Sequence, residues 1–397
     1  MALIHLESKP LFHGEKHLIN GLRCSVCLKT FRAEISEEIK SKPKYDPSCY
    51  ASLVYHHYGA GLPMYRIQRI QAAQGVPLAG STQWDLINRF AKASLLPIFE
   101  VLEKIAAQSS CFFWDDTNNK LLSIKKTSKN CYTTVITGVT GDTKIHLFYT
   151  SESYAAKNAD RLLSKRKVAT PFFSMTDAMQ NNFPSTTNES LLARWIICFC
   201  LVHGRRRLYE ICDTFPREAD FVLKCITEVY ANESICLQKQ MSDIERLKYH
   251  QIHSKPIMDA LHIWMNNIML YPKSNFETNG PLGQAIAYWL KRWDSLTQFL
   301  SVLGAPIDNS LSERLVKYAK LYIKNSYFYR TPHGARVGDA CMSIIFTCEA
   351  NHINPYEYLL VLSRNSEHVQ SDPEAWMPWS YKATINATTG PPLQQAC

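Results

Sequence analysis

The strand-rich segment between residues 111 and 175 constrains the fold more than any other feature of this sequence. Apolar, β-branched and aromatic runs alternate there with turn residues, at 111–115, 120–125, 131–139 and 144–150. A helical pattern follows at 154–163, and then another apolar run at 168–175. Strands in a row, followed by a helix and a further strand, are typical of a mixed α/β sheet.

Helical patterns flank this segment on both sides. Before it, helices are predicted at 63–74, 81–92 and 95–105, with Ser81 as the cap of the second and Pro97 in the first turn of the third. After it, no strand pattern remains between residues 190 and 303, which predicts an all-helical insertion. A further helix is predicted from Asp308 to about residue 325.

These changes of pattern divide the chain into six expected regions. They are a Cys-x-x-Cys knuckle segment similar to part of a zinc ribbon (1–47), a helical region suited to DNA binding (48–107), the first part of a catalytic sheet core (108–186), the helical insertion (187–303), the rest of the core (304–365) and a polar tail (366–397).

Composition excludes several classes of protein. The 397 residues suffice for about two or three domains. No apolar stretch approaches the ~20 residues of a membrane span, and the first residues lack the apolar core of a signal peptide. Thirteen cysteines, an odd number scattered irregularly, indicate the reduced thiols of a cytoplasmic protein. The net charge of +9 is modest, so the distribution of the basic residues matters more than their number.

Three acidic residues lie where a sheet could bring them together. Asp115 ends one predicted strand, Asp177 directly follows another, and Glu313 lies in the first turns of the late helix. Three carboxylates supply the hard oxygen ligands that Mg²⁺ or Mn²⁺ prefers. Two such ions, roughly 3.5–4 Å apart, would activate a nucleophile and stabilise the leaving oxygen of a phosphodiester.

Each acid also has an ordinary structural interpretation. Residues 115–119 suit a turn, Asp177 could cap a short helix, and Glu313 follows Ser310 at the spacing of a capping box. Asp116 is the alternative to Asp115, because the register of the strand decides which of two adjacent side chains points inward.

The helix that carries Glu313 favours the functional interpretation. At roughly 100° per residue, its acid shares one face with four basic residues, Arg314, Lys317, Lys320 and Lys324, opposite an apolar face. Tyr318, Tyr327, Phe328 and Tyr329 are interleaved with these cations or follow them. Basic residues neutralise phosphates and aromatic rings stack on bases, so this stripe predicts contact with DNA.

Weaker signals lie elsewhere. Residues 63–92 have the pattern of a helix-turn-helix, although an ordinary helical hairpin explains it as well. Cys24 and Cys27 have the spacing of half a zinc site, with His13, His17 and Cys49 as candidate substitutes for the absent second pair, but a bare pair of thiols is the simpler interpretation. Cys200 and His203 lie one helical turn apart, a spacing that core packing explains equally well. The following segment, Gly204-Arg205-Arg206-Arg207, adds a second cationic patch.

With these residues in view, the chain resembles the insertion sequence 66 family of bacterial transposases from about Cys24 to Tyr381. Its motifs follow in family order: the Cys24-x-x-Cys27 knuckle, GLPMYR at 61–66, FWDDT at 113–117, TDA at 176–178, CLVHGRR at 200–206, PIDNSLSER at 306–314 and NPYEYL at 354–359. Their joint order and spacing carry the resemblance, rather than any one string.

The resemblance implies a DDE-type transposase with a ribonuclease-H-like core interrupted by the helical insertion. Asp115, Asp177 and Glu313 match the family's three metal-binding acids, and Cys200 and His203 match its Cys-x-x-His element. The implied partners are double-stranded DNA at element ends and target, further copies of the chain, and accessory proteins of the element. The implied location is the bacterial cytoplasm, at the nucleoid.

The sequence also departs from the family pattern. A preceding coiled coil and second Cys pair are not seen, and the family's Asn-Asn before the glutamate is Asn309–Ser310 here. These departures lead to an alternative hypothesis, an inactive DNA-binding remnant that competes for element ends. A third hypothesis is a metal-dependent nuclease that cleaves any duplex without joining.

Overall fold

A five-stranded mixed sheet lies at the centre of the protein. The computed structural model describes residues 11–123, 131–179, 182–183, 186, 188–270 and 277–389. Its strands are β1 (Gly21–Arg23), β2 (Thr30–Arg32), β3 (Cys111–Asn119), β4 (Cys131–Thr140), β5 (Thr143–Ser151), β6 (Phe172–Thr176) and β7 (Trp195–Phe199). β1 and β2 form a separate hairpin, and the sheet has the order β5-β4-β3-β6-β7. β4 runs antiparallel to both neighbours, whereas β3, β6 and β7 are parallel.

Helices surround this sheet and account for most of the remaining described chain. They are α1 (Glu37–Ser41), α2 (Pro47–Val54), α3 (Met64–Ala73), α4 (Gly80–Phe90), α5 (Leu96–Ala106), α6 (Ala155–Leu163), α7 (Glu189–Leu192), α8 (Leu201–Tyr209), α9 (Pro216–Gln238), α10 (Asp243–His253), α11 (Lys255–Leu270), α12 (Pro281–Leu290), α13 (Trp293–Leu296), α14 (Ser310–Ser326), α15 (Pro332–Ala350), α16 (Pro355–Arg364), α17 (Ser366–Ser371) and α18 (Tyr381–Thr389). The mixed α/β class predicted from the sequence is therefore confirmed.

Most of the predicted elements near the sheet are present, with shifted ends. β4, β5 and α6 lie where the sequence predicted them. β3 extends four residues beyond Asp115, and β6 begins later than predicted, at Phe172. The strand predicted at 120–125 is wrong in its described part, where Leu121 makes an isolated bridge to Tyr329. Residues 124 and 125 lie outside the described residues, as do parts of the predicted regions 1–47, 108–186, 187–303 and 366–397.

The prediction of an all-helical insertion over 187–303 is wrong near its start. Trp195–Phe199 forms β7, which pairs in parallel with β6 and ends the sheet. This five-residue apolar run is too short to show a period, and the long helices that follow it dominated the pattern. As a result, Cys200 and α8, which follow β7, lie at the carboxyl end of β6.

The helices α4 and α5 are joined rather than separated by a break. A π-helical segment, Ala91–Leu95, connects them, and its residues keep helical backbone angles. Pro97 lacks a backbone N–H and cannot donate to the preceding turn, and a π-bulge widens the helix at such a point. Ser81 does not cap α4 as predicted, because the helix begins at Gly80 with Ala79 as its N-cap.

A ladder of polar side chains on α15 closes the β5 edge of the sheet. Backbone N–H groups of Lys144, His146, Phe148 and Thr150 donate to side-chain oxygens of Asn351, Thr347, Ser343 and Asp339 at 2.7–3.1 Å. Four helical residues rise about 6 Å and two strand residues about 6.8 Å, so the two repeats match over four rungs. The ladder satisfies donors that an open edge would expose.

The buried apolar residues form two large clusters. One joins the sheet to α2, α4–α6 and α14–α18, and the other lies among α8, α9, α11, α12 and α13. The prediction of a polar tail from residue 366 is wrong for its described part, since Trp376, Met377 and Tyr381 are buried in the first cluster. Within the described chain, no helix has both the length and the apolar character needed to cross a membrane.

Candidate active site

The three predicted acids lie around the carboxyl ends of the parallel strands. β6 pairs with β3 only as far as Phe113, so β3 continues past its neighbour and Asp115 lies just beyond the paired part. Asp177 directly follows β6. Glu313 lies in the first turn of α14, which packs against β3 and β4. The prediction that Asp115 ends its strand is wrong, because antiparallel pairing with β4 carries β3 on to Asn119.

Electrostatics shows that the acids share one environment. Burial raises the pKa of Asp115 to about 7, and the negative charges of Asp177, Asp116 and Glu313 contribute in the same direction. The backbone N–H of Asp116, which donates to Asp115 Oδ1 at 2.8 Å, opposes this rise. Asp115 therefore lies where additional positive charge would be favourable.

Asp116 has a different set of neighbours. Its Oδ2 accepts a hydrogen bond from the backbone N–H of Ala155, the first residue of α6, at 3.3 Å. Burial raises the pKa of Asp116, and this backbone hydrogen bond opposes the rise. Adjacent side chains of a strand point to opposite faces of the sheet. The carboxylate on which the charge of Glu313 acts is that of Asp115. The charge of Asp177 contributes to the raised pKa of both carboxylates, and that of Glu313 contributes to the raised pKa of Asp115.

Asn309 fixes the start of α14 against the sheet. Its side-chain amide donates to the backbone oxygen of Trp114 at 3.0 Å, and its Oδ1 accepts from the hydroxyl of Ser312 at 2.6 Å. Its own backbone N–H donates to Cys200 Sγ at 3.3 Å. The residue is completely buried, so these bonds replace hydration that it has lost. In the sequence, Asn309 stands out only as part of a motif, which does not predict this anchoring role.

The capping-box interpretation of Glu313 is wrong. α14 begins at Ser310, and Asn309 is the N-cap without a side-chain capping bond. Glu313 instead lies beside residues from the start of α8: its Oε1 is 3.7 Å from His203 Nδ1 and 4.0 Å from Cys200 Sγ. The turn interpretation of residues 115–119 is also wrong, since they are strand.

A basic cleft of about 540 Å³ opens beside Asp177. It is lined by Asp177, Ala178, Met179, His203, Arg206, Arg207, Glu210, Tyr288 and Arg292. The guanidinium groups of Arg207 and Arg292 lie 5.3 and 4.5 Å from the ring centre of Tyr288, within the range of cation–π attraction. Arg206 and Arg207 belong to the predicted second cationic patch, whereas Tyr288 and Arg292 were missed. Arg205 lies over Tyr209 instead and does not line the cleft.

Gly204 brings the two walls of this cleft together. The indole N–H of Trp289 in α12 donates to the backbone oxygen of Gly204 at 3.0 Å. A Cβ atom on Gly204 would lie 2.6 Å from the Trp289 ring, closer than side chains tolerate. α8 and α12 therefore pack at a distance that only glycine allows, which places Arg207 next to Tyr288.

The cationic face of α14 has the predicted geometry. Arg314, Lys317, Lys320 and Lys324 are exposed, whereas Leu315, Val316, Ala319 and Tyr322 are buried. The aromatic part of that prediction is wrong for Tyr329, which is buried and stacks on Tyr322 with ring centres 4.7 Å apart. Tyr327 is 65% exposed and remains accessible to a base.

The amino-terminal motifs are less informative. Cys24 and Cys27 lie in the exposed β1–β2 hairpin, where hydrogen bonds from the backbone of Cys27 and Val26 lower the pKa of Cys24. Within the described residues they are not part of any three-ligand group. α3 and α4 do form a packed helical pair, tied by Gln83 Nε2, which donates to the backbone oxygen of Met64 at 3.1 Å.

The donors available for a metal ion are of two kinds. Among the described residues, two groups have three ligand atoms all within 4.8 Å of one another: Cys200–His203–Glu313 and Glu233–Cys236–His250. Asp115, Asp177 and Glu313 do not form so tight a group. A pair of ions roughly 3.5–4 Å apart spans a wider set of ligands than one ion does. The all-oxygen donor set and the repulsion felt by Asp115 suit a divalent cation such as Mg²⁺.

Comparison with known proteins finds one matching family. A family model described as "Transposase IS66 family" matches residues 42–337, a span that includes all three acids. Two similar proteins of Sinorhizobium fredii are uncharacterized protein y4hP, 23% identical over 86% of this chain and 63% of its own length, and uncharacterized protein y4jD, 26% identical over 84% and 65%. The chain thus spans less than two thirds of the length of these curated relatives.

Proposed function

The chain belongs to the IS66 family of transposases, and we propose that it cuts DNA at the ends of a mobile element and joins the freed 3′ ends to target DNA. The observation that carries the proposal is the position of Asp115, whose carboxylate is buried and faces the charges of Asp177 and Glu313. An uncompensated group of acids at the end of a sheet is costly for a protein without a cation to bind.

In this proposal Asp115, Asp177 and Glu313 bind two divalent metal ions, Mg²⁺ or Mn²⁺. When bound, such ions activate the attacking oxygen and stabilise the leaving oxygen of a phosphodiester. The chain's own contribution is to hold the acids in place. The strand register fixes Asp115, the end of β6 fixes Asp177, and the hydrogen bonds of Asn309 fix the helix that carries Glu313.

The same acids would serve two chemical steps in succession. In cleavage, a water molecule attacks the phosphodiester and a 3′-hydroxyl leaves. In joining, that 3′-hydroxyl attacks a target phosphodiester, and a target 3′-oxygen leaves. Both steps transfer a phosphoryl group between oxygens, so neither requires a redox cofactor. Because the ligands must be ionised, removal of one carboxylate should affect chemistry far more than DNA binding.

Two cationic surfaces are proposed to bind double-stranded DNA. One is the exposed stripe of Arg314, Lys317, Lys320 and Lys324, and the other is the cleft with Arg206, Arg207 and Arg292. Both begin at a catalytic acid, Glu313 in the first case and Asp177 in the second. A backbone held along these surfaces would pass the acidic site with its charge neutralised.

Several finer features complete the proposal. The sheet with α14 would be a ribonuclease-H-like core, and the second apolar cluster would be the insertion between Asp177 and Glu313. The α3–α4 pair would contribute to recognition of element ends, and Cys24 and Cys27 would bind Zn²⁺ only with ligands from elsewhere. Assembly of several copies on DNA, accessory proteins of the element and action at the bacterial nucleoid belong to the same proposal.

The test compares two adjacent acids with opposite expected outcomes. The purified protein is incubated with Mg²⁺ or Mn²⁺ and DNA carrying its own flanking sequences, beside the variants Asp115→Ala and Asp116→Ala. We expect site-specific nicking and strand joining, abolished in Asp115→Ala and retained in the folded fraction of Asp116→Ala. The reverse pattern would transfer the role to Asp116. Binding without chemistry in the parent protein would contradict the proposed activity, and cleavage of any duplex without joining would indicate a nuclease.

A further inference from the structure

The group Cys200–His203–Glu313 has ligand chemistry that differs from that of the acidic site. It combines a thiol, an imidazole and a carboxylate, with all three ligand atoms within 4.8 Å of one another. Sulfur and nitrogen donors favour Zn²⁺ over Mg²⁺, which prefers oxygen. The group is assembled from the end of β7, the first turn of α8 and the first turn of α14.

The distances in this group are close to those of a zinc site. Zinc binds nitrogen and oxygen at about 2.0 Å and sulfur at about 2.3 Å, so tetrahedral geometry separates nitrogen from oxygen by about 3.3 Å and sulfur from oxygen by about 3.5 Å. The observed separations from Glu313 Oε1 are 3.7 Å to His203 Nδ1 and 4.0 Å to Cys200 Sγ. These two separations would have to shorten by about half an ångström, and the separation of Cys200 Sγ from the His203 ring nitrogen lies within the 4.8 Å that bounds the group.

A buried nitrogen without a hydrogen-bond partner points to a missing ligand. His203 Nδ1 is shielded from solvent and makes no hydrogen bond in the described structure. Leaving such a group unsatisfied costs about 1–3 kcal/mol. Its nearest charged neighbour, the Glu313 carboxylate, lies too far away for a hydrogen bond but at a distance that suits a shared metal ion.

The surroundings of Cys200 suit a thiolate ligand. The backbone N–H of Asn309 donates to Sγ at 3.3 Å, an interaction that stabilises a negatively charged sulfur. A thiol must lose its proton to bind a metal ion. Binding of a zinc ion would release that proton to solvent and form the Zn–S bond.

The second three-ligand group lacks these features. Glu233 Oε2 already accepts from Arg246 Nε and pairs with His250 Nε2, both at 2.8 Å. His250 Nδ1 is bonded to Ser254 Oγ at 2.8 Å. Both ring nitrogens are engaged and the carboxylate is neutralised by an arginine, so a metal ion would have to break an existing network.

We propose that Cys200, His203 and Glu313 form a Zn²⁺ site that shares Glu313 with the acidic site. Three protein ligands leave a fourth position for water, and His203 also lines the open cleft beside Asp177. Zinc at this site would engage the carboxylate that the acidic site needs, and so oppose DNA cleavage. This last consequence rests on the proposed function, whereas the binding of zinc does not.

Cobalt provides the direct test, because Co²⁺ replaces Zn²⁺ and shows a thiolate-to-metal absorption band in the near ultraviolet. The full chain is used with Cys24→Ser and Cys27→Ser as background, so that the exposed pair does not contribute. We expect one Co²⁺ per chain, displaced by Zn²⁺ and not by millimolar Mg²⁺. The band should disappear with Cys200→Ser, and His203→Gln should weaken binding by at least about 10-fold.

Cys236→Ser is the matched control, because it removes the buried thiol of the other three-ligand group and should keep the band. Absence of the band in the folded background protein, or its loss in Cys236→Ser but not in Cys200→Ser, would overturn the site. Should Cys200→Ser fail to fold, His203→Gln carries the test. Because cobalt binding is measured without DNA, it can fail or succeed independently of the transposase activity. Cobalt binding with cleavage unaffected by stoichiometric zinc would overturn the competition for Glu313.

Discussion

Asp115 and Asp339 have the same raised pKa but opposite surroundings. Burial is the largest cause in both cases, and it raises the pKa of each to about 7. Asp339 accepts two hydrogen bonds from Thr150, from its backbone N–H and its hydroxyl, both at 2.7 Å. Asp115 accepts one from its neighbour in the strand and otherwise faces other acids.

The difference shows that a perturbed pKa alone does not identify a site. Asp339 is the last rung of the polar ladder that joins α15 to β5, and its acceptors are used within the protein. Asp115 lies at the other side of β4, at the carboxyl end of the parallel strands, where its oxygens remain available for a ligand. The carboxylate of Asp339 is explained by the fold, whereas that of Asp115 is assigned to a cation only in the proposed function.

The largest expected effect is on stability, from Asp339→Ala. The change leaves the backbone N–H of Thr150 without its acceptor, at about 1–3 kcal/mol, and removes one of the two partners of the Thr150 hydroxyl, the other being Thr133 Oγ1 at 2.8 Å. Urea denaturation should show this loss, while strand joining per folded molecule remains near that of the parent. Ser343→Ala is the matched control, since it removes one rung that accepts a single backbone N–H. If Asp339→Ala and Ser343→Ala lose the same free energy of unfolding, the expectation that Asp339 stabilises the protein more than a single rung does is wrong.

The pH dependence of stability sharpens the comparison further. The pKa of Asp339 is raised in the folded state, so the proton is held more tightly there than in the unfolded chain. Its contribution to stability is complete below about pH 4 and is lost as the pH rises toward 7. Over that interval we expect the free energy of unfolding of the parent to fall relative to that of Asp339→Asn, by at most about 4 kcal/mol.

Other titrating groups must be separated from this effect. The cavity beside Asp339 is also lined by four charged residues: Glu103, Arg161, Lys165 and Arg336. Five further titratable groups are close enough to interact with the charge of Asp339: Tyr58, Tyr322, Tyr329, Cys131 and Cys341. Burial lowers the pKa of His146 to about 3, and this neutral imidazole contributes stability that is lost as the pH falls. These groups are present in both the parent and Asp339→Asn, so the difference between their free energies of unfolding reports on Asp339 alone. If the free energies of unfolding of the parent and of Asp339→Asn change in parallel with pH, Asp339 is not the group responsible for the effect.

Sequence reasoning predicted the parts of the fold that have a clear local period. β4 and β5 carry long β-branched runs, and α14 has one polar and one apolar face, so each was predicted within a few residues. β7 was missed because five apolar residues fit a strand or a buried helix equally well. The ladder of α15 was missed because Ser343 and Thr347 look unremarkable until the strand that they contact is known.

The sequence predicted those residues of the candidate site that their type and local position identify. Asp115, Asp177 and Glu313 were chosen because acids follow strands or begin a helix. Asn309 and Arg292 were missed because their roles depend on distant contacts, such as the bond from Asn309 to Trp114, 195 residues away. The packing of Gly204 on Trp289 likewise joins residues 85 positions apart. No local pattern carries such information.

Asp115→Asn should make the metal-free protein more stable, which is the opposite of the effect expected of Asp339→Ala. The substitution keeps the shape of the side chain and removes a partly buried negative charge that interacts with three other acids, Asp177, Asp116 and Glu313. Stabilisation of about 0.5–2 kcal/mol is expected at pH 8, together with the loss of cleavage, because active sites retain strain for the sake of function. Thermal unfolding in the presence of a chelator measures this. A destabilised Asp115→Asn would mean that the carboxylate has a structural partner.

The smallest effect concerns DNA, and it compares the outer faces of α14 and α15. Lys317 and Lys320 are exposed on α14, whereas Arg336 on α15 is paired with Glu100 at 2.6 Å. Each phosphate contact contributes about 0.9 to the slope of log affinity against log salt concentration. Replacing both lysines with Ala should therefore reduce that slope by up to about 2. Arg336→Ala should leave it unchanged, because this charge is already neutralised within the protein. Equal slopes in the lysine variant and the parent would remove the α14 stripe from the DNA path and leave the cleft beside Asp177 as the principal cationic surface.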